Sequence, residues 1–470
     1  MAKAQFGVCG LAVMGQNLAM NVANKGFTVA VFNRTKARTD EMMAGPAKGN
    51  RKVVPTYSEK ELCEALETPR KILIMVKAGK PVDEVIGQLK PFLQEGDVII
   101  DGGNSYFKDT ERRSTALEAE GLLYIGTGIS GGEEGALKGP CIMPGGPKKS
   151  YEAVEAILTK IAAQTEDGPC CTYIGPRGAG HFVKMVHNGI EYGIMQLLAE
   201  TYDVMKRALG MTDDEMHQAF KEWNDAELGG YLMEITRDVL AKKDDITGGP
   251  LVELIVDTAA QKGTGKWTSQ EAFDEGIMIP TITSAVDARI MSGYRDERIA
   301  AEKVIKIRKK EFKGDRAKAL AWLKASLYSS MIISYAQGMM MLRKANDEYD
   351  YKVSLSEVAR IWKGGCIIRS KLLDPIKEAY GRKRKLPNIM VANPFKKLLK
   401  KSSNDWRKAL KLGVDYGIPM PATAASLAYF DGYRTGRLPA NLTQAQRDYF
   451  GAHTYQRTDR EGTFHTEWAK

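Results

Sequence analysis

In the stretch Gly178-Ala-Gly-His-Phe-Val-Lys-Met-Val-His-Asn-Gly-Ile-Glu-Tyr192, Lys184, His187, Asn188 and Glu191 fall at i, i+3, i+4 and i+7. On a helix, that spacing places four polar side chains on one face across two turns. The residues between and after them are apolar, among them Phe182, Val183, Met185, Val186, Ile190 and Ile194. A helix apolar all round is a buried one. A Lys and a Glu on a buried face are costly unless they are paired or used. Two chemistries fit: a structural Lys184–Glu191 ion pair, or an acid/base pair. The pattern alone favours the first, so the elements that position this helix must decide.

The first third of the chain alternates short β-like runs with helical stretches. The runs are Gln5–Gly10, Thr28–Asn33, Lys71–Val76, Asp97–Asp101 and Leu122–Gly126. Such alternation predicts βαβ units and a mostly parallel sheet. The first run ends in Gly10-Leu11-Ala12-Val13-Met14-Gly15 and leads into an amphipathic helix. Gly10 permits the tight turn, Ala12 lets the backbone approach a pyrophosphate, and Gly15 lets helix and strand pack closely. The second run ends Phe32-Asn33-Arg34-Thr35, with no acidic residue where a ribose hydroxyl would be read. Arg34 suits a phosphate or the adenine face, and Asn33 and Thr35 can bond phosphate oxygens. This end favours NADP over NAD. Three further loops leave the ends of strands, where such sheets bind ligands. They are Val76-Lys77-Ala78-Gly-Lys80, Asp101-Gly-Gly-Asn104-Ser105 and Gly126-Thr-Gly-Ile-Ser130-Gly131-Gly132-Glu-Glu.

After Gly175-Pro-Arg-Gly-Ala-Gly180 the pattern turns helical. Periodicity predicts helices over 181–210, 212–243, 251–262, 269–276, 282–312, 316–346, 354–379 and 404–433. Breaks are expected at Thr247-Gly-Gly-Pro250, Gly263-Thr-Gly265 and Gly364-Gly365. The last stretch, 436–470, has too few large aliphatics for a core of its own. Its aromatic and His residues suggest a segment that docks elsewhere. The chain thus divides into 1–178, 179–435 and 436–470.

At 470 residues, 43% hydrophobic and 27% charged, the composition is that of a globular protein. No stretch reads as a membrane span or a secretion signal. Six scattered Cys without CxxC spacing suit reduced thiols in the cytoplasm. Five His and no HExxH argue against a metal enzyme. The net charge of +10 comes largely from Lys303–Lys318 and Arg382–Lys411. Solvated helix faces, a nucleic-acid surface and attraction of small polyanions all remain open, but no nucleic-acid motif accompanies these runs.

Taken together, the motifs resemble the 6-phosphogluconate dehydrogenase family over nearly the whole chain. They are Gly10–Gly15, Phe32–Thr35, Val76–Gly79, Asp101–Asn104, Ser130–Glu134, Lys184–Glu191, Gln261-Lys-Gly-Thr-Gly-Lys-Trp267 and Arg447-Asp-Tyr-Phe-Gly-Ala-His453. The resemblance implies an α/β Rossmann-type N-terminal domain, a large all-α domain and an extended C-terminal tail that crosses to the partner of a homodimer. It implies oxidative decarboxylation of 6-phospho-D-gluconate to D-ribulose 5-phosphate and CO2 with NADP, a step of the pentose phosphate pathway, without a metal. Ser130, Gly131, Gly132, His187, Asn188, Tyr192, Lys262 and Arg289 would then contact substrate. Asn104 would lie between cofactor and substrate, and Arg447 and His453 would reach the neighbour's substrate. Asp287 stands where an aromatic or apolar residue is expected, two residues from Arg289, and could draw it off a phosphate.

The implied chemistry gives the opening helix a use. Lys184, its pKa lowered by burial, would take the hydroxyl proton during oxidation and then polarise the carbonyl for loss of CO2. Glu191 would protonate the resulting enediol at carbon. A simpler β-hydroxyacid dehydrogenase and a non-catalytic NADP- or nucleic-acid-binding protein are the competing readings. The long helical region and the Lys184–Glu191 face argue against them.

Overall fold

The computed structural model describes residues 3–261, 263–306 and 312–468. Short apolar runs form the seven strands of one sheet: β1 (Phe6–Cys9), β2 (Val29–Phe32), β3 (Val53–Thr56), β4 (Lys71–Ile74), β5 (Val98–Asp101), β6 (Leu123–Ser130) and β7 (Cys141–Gly145). Their order is β3-β2-β1-β4-β5-β6-β7. All neighbours are parallel except β7, which runs antiparallel to β6. The parallel strands β1, β2 and β5 are buried along their whole length, as sheets covered on both faces require.

All five predicted runs are strands of this sheet. The sequence did not reveal β3, which holds Pro55, or β7, which lies in a Gly/Pro-rich stretch. Residues 126–130, expected as loop, continue β6 because β7 pairs with them as far as Ser130 opposite Cys141. Chain direction across the sheet reverses between β1 and β4, the switch point where ligands of such sheets bind.

The helix Ala179–Arg207, called the central helix below, packs against β6 and β7 and against the long helix Arg316–Tyr349. Gly128 of β6 permits the approach, because any side chain there would collide with the stem of Lys184. Several predicted helices are two. The 212–243 stretch is Asp213–Asp225 and Tyr231–Ala241, broken at Gly229-Gly230. The 282–312 stretch is Pro280–Gly293 and Arg295–Val304, with 307–311 outside the described residues. The 354–379 stretch is Leu355–Ile361 and Leu373–Arg382, separated at the expected Gly364-Gly365 break. The 404–433 stretch is Phe395–Asp415 and Pro421–Tyr433, parted around Gly417 and Pro419. Apolar periodicity runs on across short breaks, so it joins what Gly and Pro divide.

One expectation fails outright. Most of 251–262 is irregular, with only a short 3-10 turn at Leu251–Leu254, and the predicted 263–265 break opens the helix Thr264–Asp274. Gly263 takes φ +94° just before it, a left-handed entry that glycine makes at little cost. The tail is also less extended than expected. It contains a helix, Ala440–Gly451, and a hairpin of Tyr455–Gln456 with Thr463–Phe464. Buried Asp448 ties the two, accepting from the backbone N–H of Thr454 at 2.8 Å and of Thr466 at 3.0 Å and from the Trp468 indole at 2.8 Å.

Sheet and helices meet at an aromatic junction. Phe107 packs edge-on to Phe182 with ring centres 5.0 Å apart, and Tyr106 lies against Trp267 at 5.2 Å. Within it, Glu275 is buried and neither carboxylate oxygen has a hydrogen-bond partner among the described residues. Burial, then the charges of Glu271 and Glu348, push its pKa from 4.5 up to about 8. The folded protein therefore holds this proton more tightly than the unfolded chain. The cost of ionising it is absent below the unfolded pKa, grows as pH rises, and levels off above the folded pKa. Glu275→Gln should accordingly raise the melting temperature, with a gain that widens between pH 5 and pH 8.5. The gain should be worth on the order of 2 kcal/mol at the alkaline end. A pH-independent gain in thermal melts would contradict this.

Candidate active site

The loop after β1 is built for a pyrophosphate. Gly10 has φ +101°, and a side chain on Gly15 would collide with the Gly10 carbonyl. Ala12 and Val13 are exposed at the crevice, and the helix Val13–Asn24 behind them carries no acidic residue in its first turn. Its free N–H groups and dipole therefore face an anion unopposed. Asn33 serves this loop from within: its Oδ1 accepts the Leu11 N–H at 3.0 Å, and its amide donates to the Thr35 carbonyl at 3.2 Å. Its predicted phosphate bond would compete with these. Arg34 and Thr35 are exposed beside it, and Arg34 has no carboxylate partner among the described residues. Across the switch point stand Val76, Lys77 and Ala78, with Val76 against Gly10. Exposed Asn104 follows β5 on the same edge of the sheet.

The central helix presents its polar face toward the end of this edge. Lys184 is buried, and its Nζ donates to Asn188 Oδ1 at 2.8 Å. The same oxygen meets His187 Nδ1 at 3.1 Å, so Nδ1 carries the hydrogen. His187 Nε2 is then the acceptor for the Ser130 hydroxyl, 3.1 Å away. Asn188 Nδ2 donates to Thr264 Oγ1 at 3.0 Å, which fixes the way the amide faces. Lys184 thus bonds a neutral amide, and no Lys184–Glu191 ion pair forms. Glu191 is partly accessible, its Oε2 3.8 Å from His187 Nδ1.

Electrostatics follow from this burial. Desolvation lowers the Lys184 pKa against the upward pull of Glu191. Desolvation raises that of Glu191 against the pull of Lys184 and Arg289. The two groups are driven toward neutrality, as a base and an acid working near neutral pH require. Burial, then the Lys184 charge, holds His187 well below its ordinary value, so it is a neutral hydrogen-bonding group. Cys141 and Cys366 flank Lys184. Burial pushes the Cys366 thiol up to about 12 and that of Cys141 well above its ordinary value, so neither brings a negative charge.

Around this cluster, Gly131 and Gly132 open the short helix Gly132–Lys138. Tyr192 is buried, and the Arg289 guanidinium lies over its ring, 3.5 Å from the centre. Asp287 does not draw Arg289 away. It is exposed and lines a separate cleft of about 720 Å³ with Met291, Leu410, Val414 and Pro419. Lys262 lies outside the described residues. Arg447 and His453 stay in the tail: Arg447 bonds Gln444 at 3.1 Å, and His453 packs on Phe450. Of the predicted substrate groups, the fold therefore gathers Ser130, His187, Asn188 and Tyr192 with Arg289 on one site and leaves the tail residues apart from it. Thr264 was missed, although it lies inside the quoted 261–267 motif. The Gly365–Cys366 loop was missed too; the bond from Cys141 N–H to the Gly365 carbonyl, 2.7 Å, sets it beside β7.

Comparison with known proteins gives the family. Residues 5–175 match the NAD binding domain of 6-phosphogluconate dehydrogenase, and residues 180–468 match the C-terminal domain of 6-phosphogluconate dehydrogenase. The decarboxylating 6-phosphogluconate dehydrogenase of Synechococcus elongatus is 55% identical over 471 residues, covering 100% of both chains. The NADP(+)-dependent decarboxylating enzyme of Bacillus subtilis is 52% identical over 100% of both. Among solved structures, Plasmodium falciparum 6-phosphogluconate dehydrogenase, known with its cofactor NADP+ and with its substrate 6-phosphogluconate, superposes with a TM-score of 0.95. It is 45% identical, with 99% of this chain and 100% of that one covered. This chain belongs to the 6-phosphogluconate dehydrogenase family.

Proposed function

We infer that this protein converts 6-phospho-D-gluconate and NADP to D-ribulose 5-phosphate, CO2 and NADPH. The observation that carries this reading is the pairing of buried Lys184 with a neutral amide, on the same helix face as a Glu whose pKa is driven the opposite way. A structural ion pair would instead hold both groups charged. Full-length likeness to decarboxylating enzymes supports the substrate. The experiment is direct: purified protein with NADP and 6-phosphogluconate should form NADPH and CO2 together. NADPH without CO2 would indicate a simple hydroxyacid dehydrogenase.

The cofactor site fits NADP, through the Gly10–Gly15 loop with Leu11, Ala12, Val13 and Met14, and through Arg34, Thr35, Lys77 and Asn104. When bound, NADP supplies the hydride acceptor. The chain's own groups handle protons. Lys184, neutral through burial, takes the proton of the substrate hydroxyl. As an ammonium it then donates to the new carbonyl oxygen, drawing in the electrons released as CO2 departs. Glu191 delivers a proton to the enediol carbon while Lys184 takes back the hydroxyl proton, leaving the ketone. Asn188 and His187 hold the substrate, with Asn188 Oδ1 fixing the His187 tautomer and Ser130 bonding its Nε2. Arg289 and Lys262 attract the phosphate.

Arg34→Ala should weaken NADP roughly 10- to 100-fold, the value of a charge-assisted phosphate contact, and leave NAD nearly unchanged. Titration with both nucleotides checks this, and equal losses would refute the 2′-phosphate role.

We further propose a cytoplasmic homodimer of chains divided at 1–178, 179–435 and 436–470, in which Arg447 and His453 complete the partner's site. The tail helix exposes Leu442, Tyr449 and Phe450, and the cleft beside Asp287 leaves an apolar face uncovered, as surfaces awaiting a partner do. Among the described residues no helix is long and apolar enough to cross a membrane.

A further inference from the structure

Glu271 is a buried carboxylate at the junction of the nucleotide domain and the helical domain, on the helix Thr264–Asp274. Three donors from other elements converge on it. The Tyr106 hydroxyl, from the loop after β5, lies 3.3 Å from Oε2. Lys108 Nζ, from the first turn of the helix Phe107–Glu118, lies 3.0 Å from the same oxygen. The Tyr349 hydroxyl, at the end of the long helix, donates to Oε1. Although burial pulls the Lys108 pKa down, Glu271 raises it overall, so Lys108 stays an ammonium.

The position of this carboxylate connects the two halves of the site. Tyr106 stands two residues beyond Asn104, on the loop that borders the cofactor. Two turns before Glu271, Thr264 opens the same helix and holds the Asn188 amide that faces Lys184. The tilted Tyr106–Trp267 ring contact joins the same elements, and hydrogen bonds to a carboxylate add fixed distance and direction.

We propose that Glu271 is a positioning residue for the reaction, holding the Asn104 loop in register with the helix that orients Asn188 and Lys184. The proposal rests on the function given above. Hydride transfer depends steeply on the placement of donor and acceptor, and a misplacement near 1 Å costs on the order of 100-fold. Glu271→Ala should therefore lower kcat roughly 10- to 100-fold. Its NADP affinity should stay close to that of the parent protein. The deuterium isotope effect, with substrate labelled at the carbon that is oxidised, should rise as hydride transfer becomes limiting. Glu271→Gln, which keeps one acceptor oxygen for Tyr106 and Lys108 and turns an amide N–H toward the Tyr349 hydroxyl, should recover part of the loss. Tyr106→Phe and Tyr349→Phe each remove one hydroxyl and should move kcat and the isotope effect the same way by less. They serve as the test should Glu271→Ala fail to fold.

An unchanged isotope effect in folded Glu271→Ala, or in both Tyr variants if it does not fold, would overturn the proposal, because a merely structural role lowers the amount of active protein without altering hydride transfer. A parent protein that forms no NADPH from 6-phosphogluconate would overturn the functional reading, and this proposal with it. An active parent with insensitive variants would overturn this proposal alone.

Discussion

Lys184→Met is expected to lose turnover by roughly 10³-fold or more, on the proposal that the residue serves as base in the first step and as acid in the second. NADP binding should remain near normal, because Lys184 lies on the central helix and bonds Asn188, away from the Gly10–Gly15 loop. The fold should also survive. Met has a similar length, and the Lys stem lies over Gly128 in an apolar setting. Stability should if anything rise. Lys184 has a folded pKa below its unfolded one, so the unfolded chain binds the extra proton, and the native lysine costs most at pH values below the folded pKa. The measurement is NADPH formation alongside nucleotide titration and thermal melting. Retained turnover in a folded, NADP-binding variant would sink the assignment of the base. The same logic shapes the pH profile. On the proposed roles, activity requires neutral Lys184 and protonated Glu191, so it should rise as the first deprotonates and fall as the second does.

Deletion of residues 436–470 is the other large effect. On the proposed shared site, removing Arg447 and His453 would take two charged or polar contacts from the partner's substrate, worth roughly 100-fold or more together. The body should still fold, since Asp448 and its partners hold the tail together by contacts within the tail itself. A complementation experiment separates a shared site from a self-contained one. The truncated chain retains Lys184, and the Lys184→Met chain retains its tail. Mixed and reassociated, two inactive preparations should regain activity, because one site of each mixed dimer then has both parts. A fully active truncated protein, or mixing without recovery, would contradict the shared site.

Much of this was legible along the chain because it depends on local order. The Gly10–Gly15 loop follows a strand and opens a helix, so its backbone geometry is set by neighbours in sequence. The spacing of Lys184, His187, Asn188 and Glu191 fixes their common face as soon as the segment is helical. The absence of an acidic residue after Phe32 likewise needs no partner to be read.

What could not be read depends on pairings between distant segments. β7 is recognised through its register with β6, and that pairing turns residues 126–130 from loop into strand. The helix breaks at Gly229-Gly230 and Gly417 escaped because apolar periodicity continues through them. Nothing near Lys184 in sequence told whether its partner was Glu191 or Asn188. The tertiary structure decided for Asn188, because Thr264, brought alongside from 76 residues away, turns the amide oxygen toward the ammonium. The sequence by itself determined which side chains share the helix face. Packing determined that the lysine is buried beside a neutral acceptor, and the cost of a buried charge favours the neutral form that the proposed base requires over half of an ion pair.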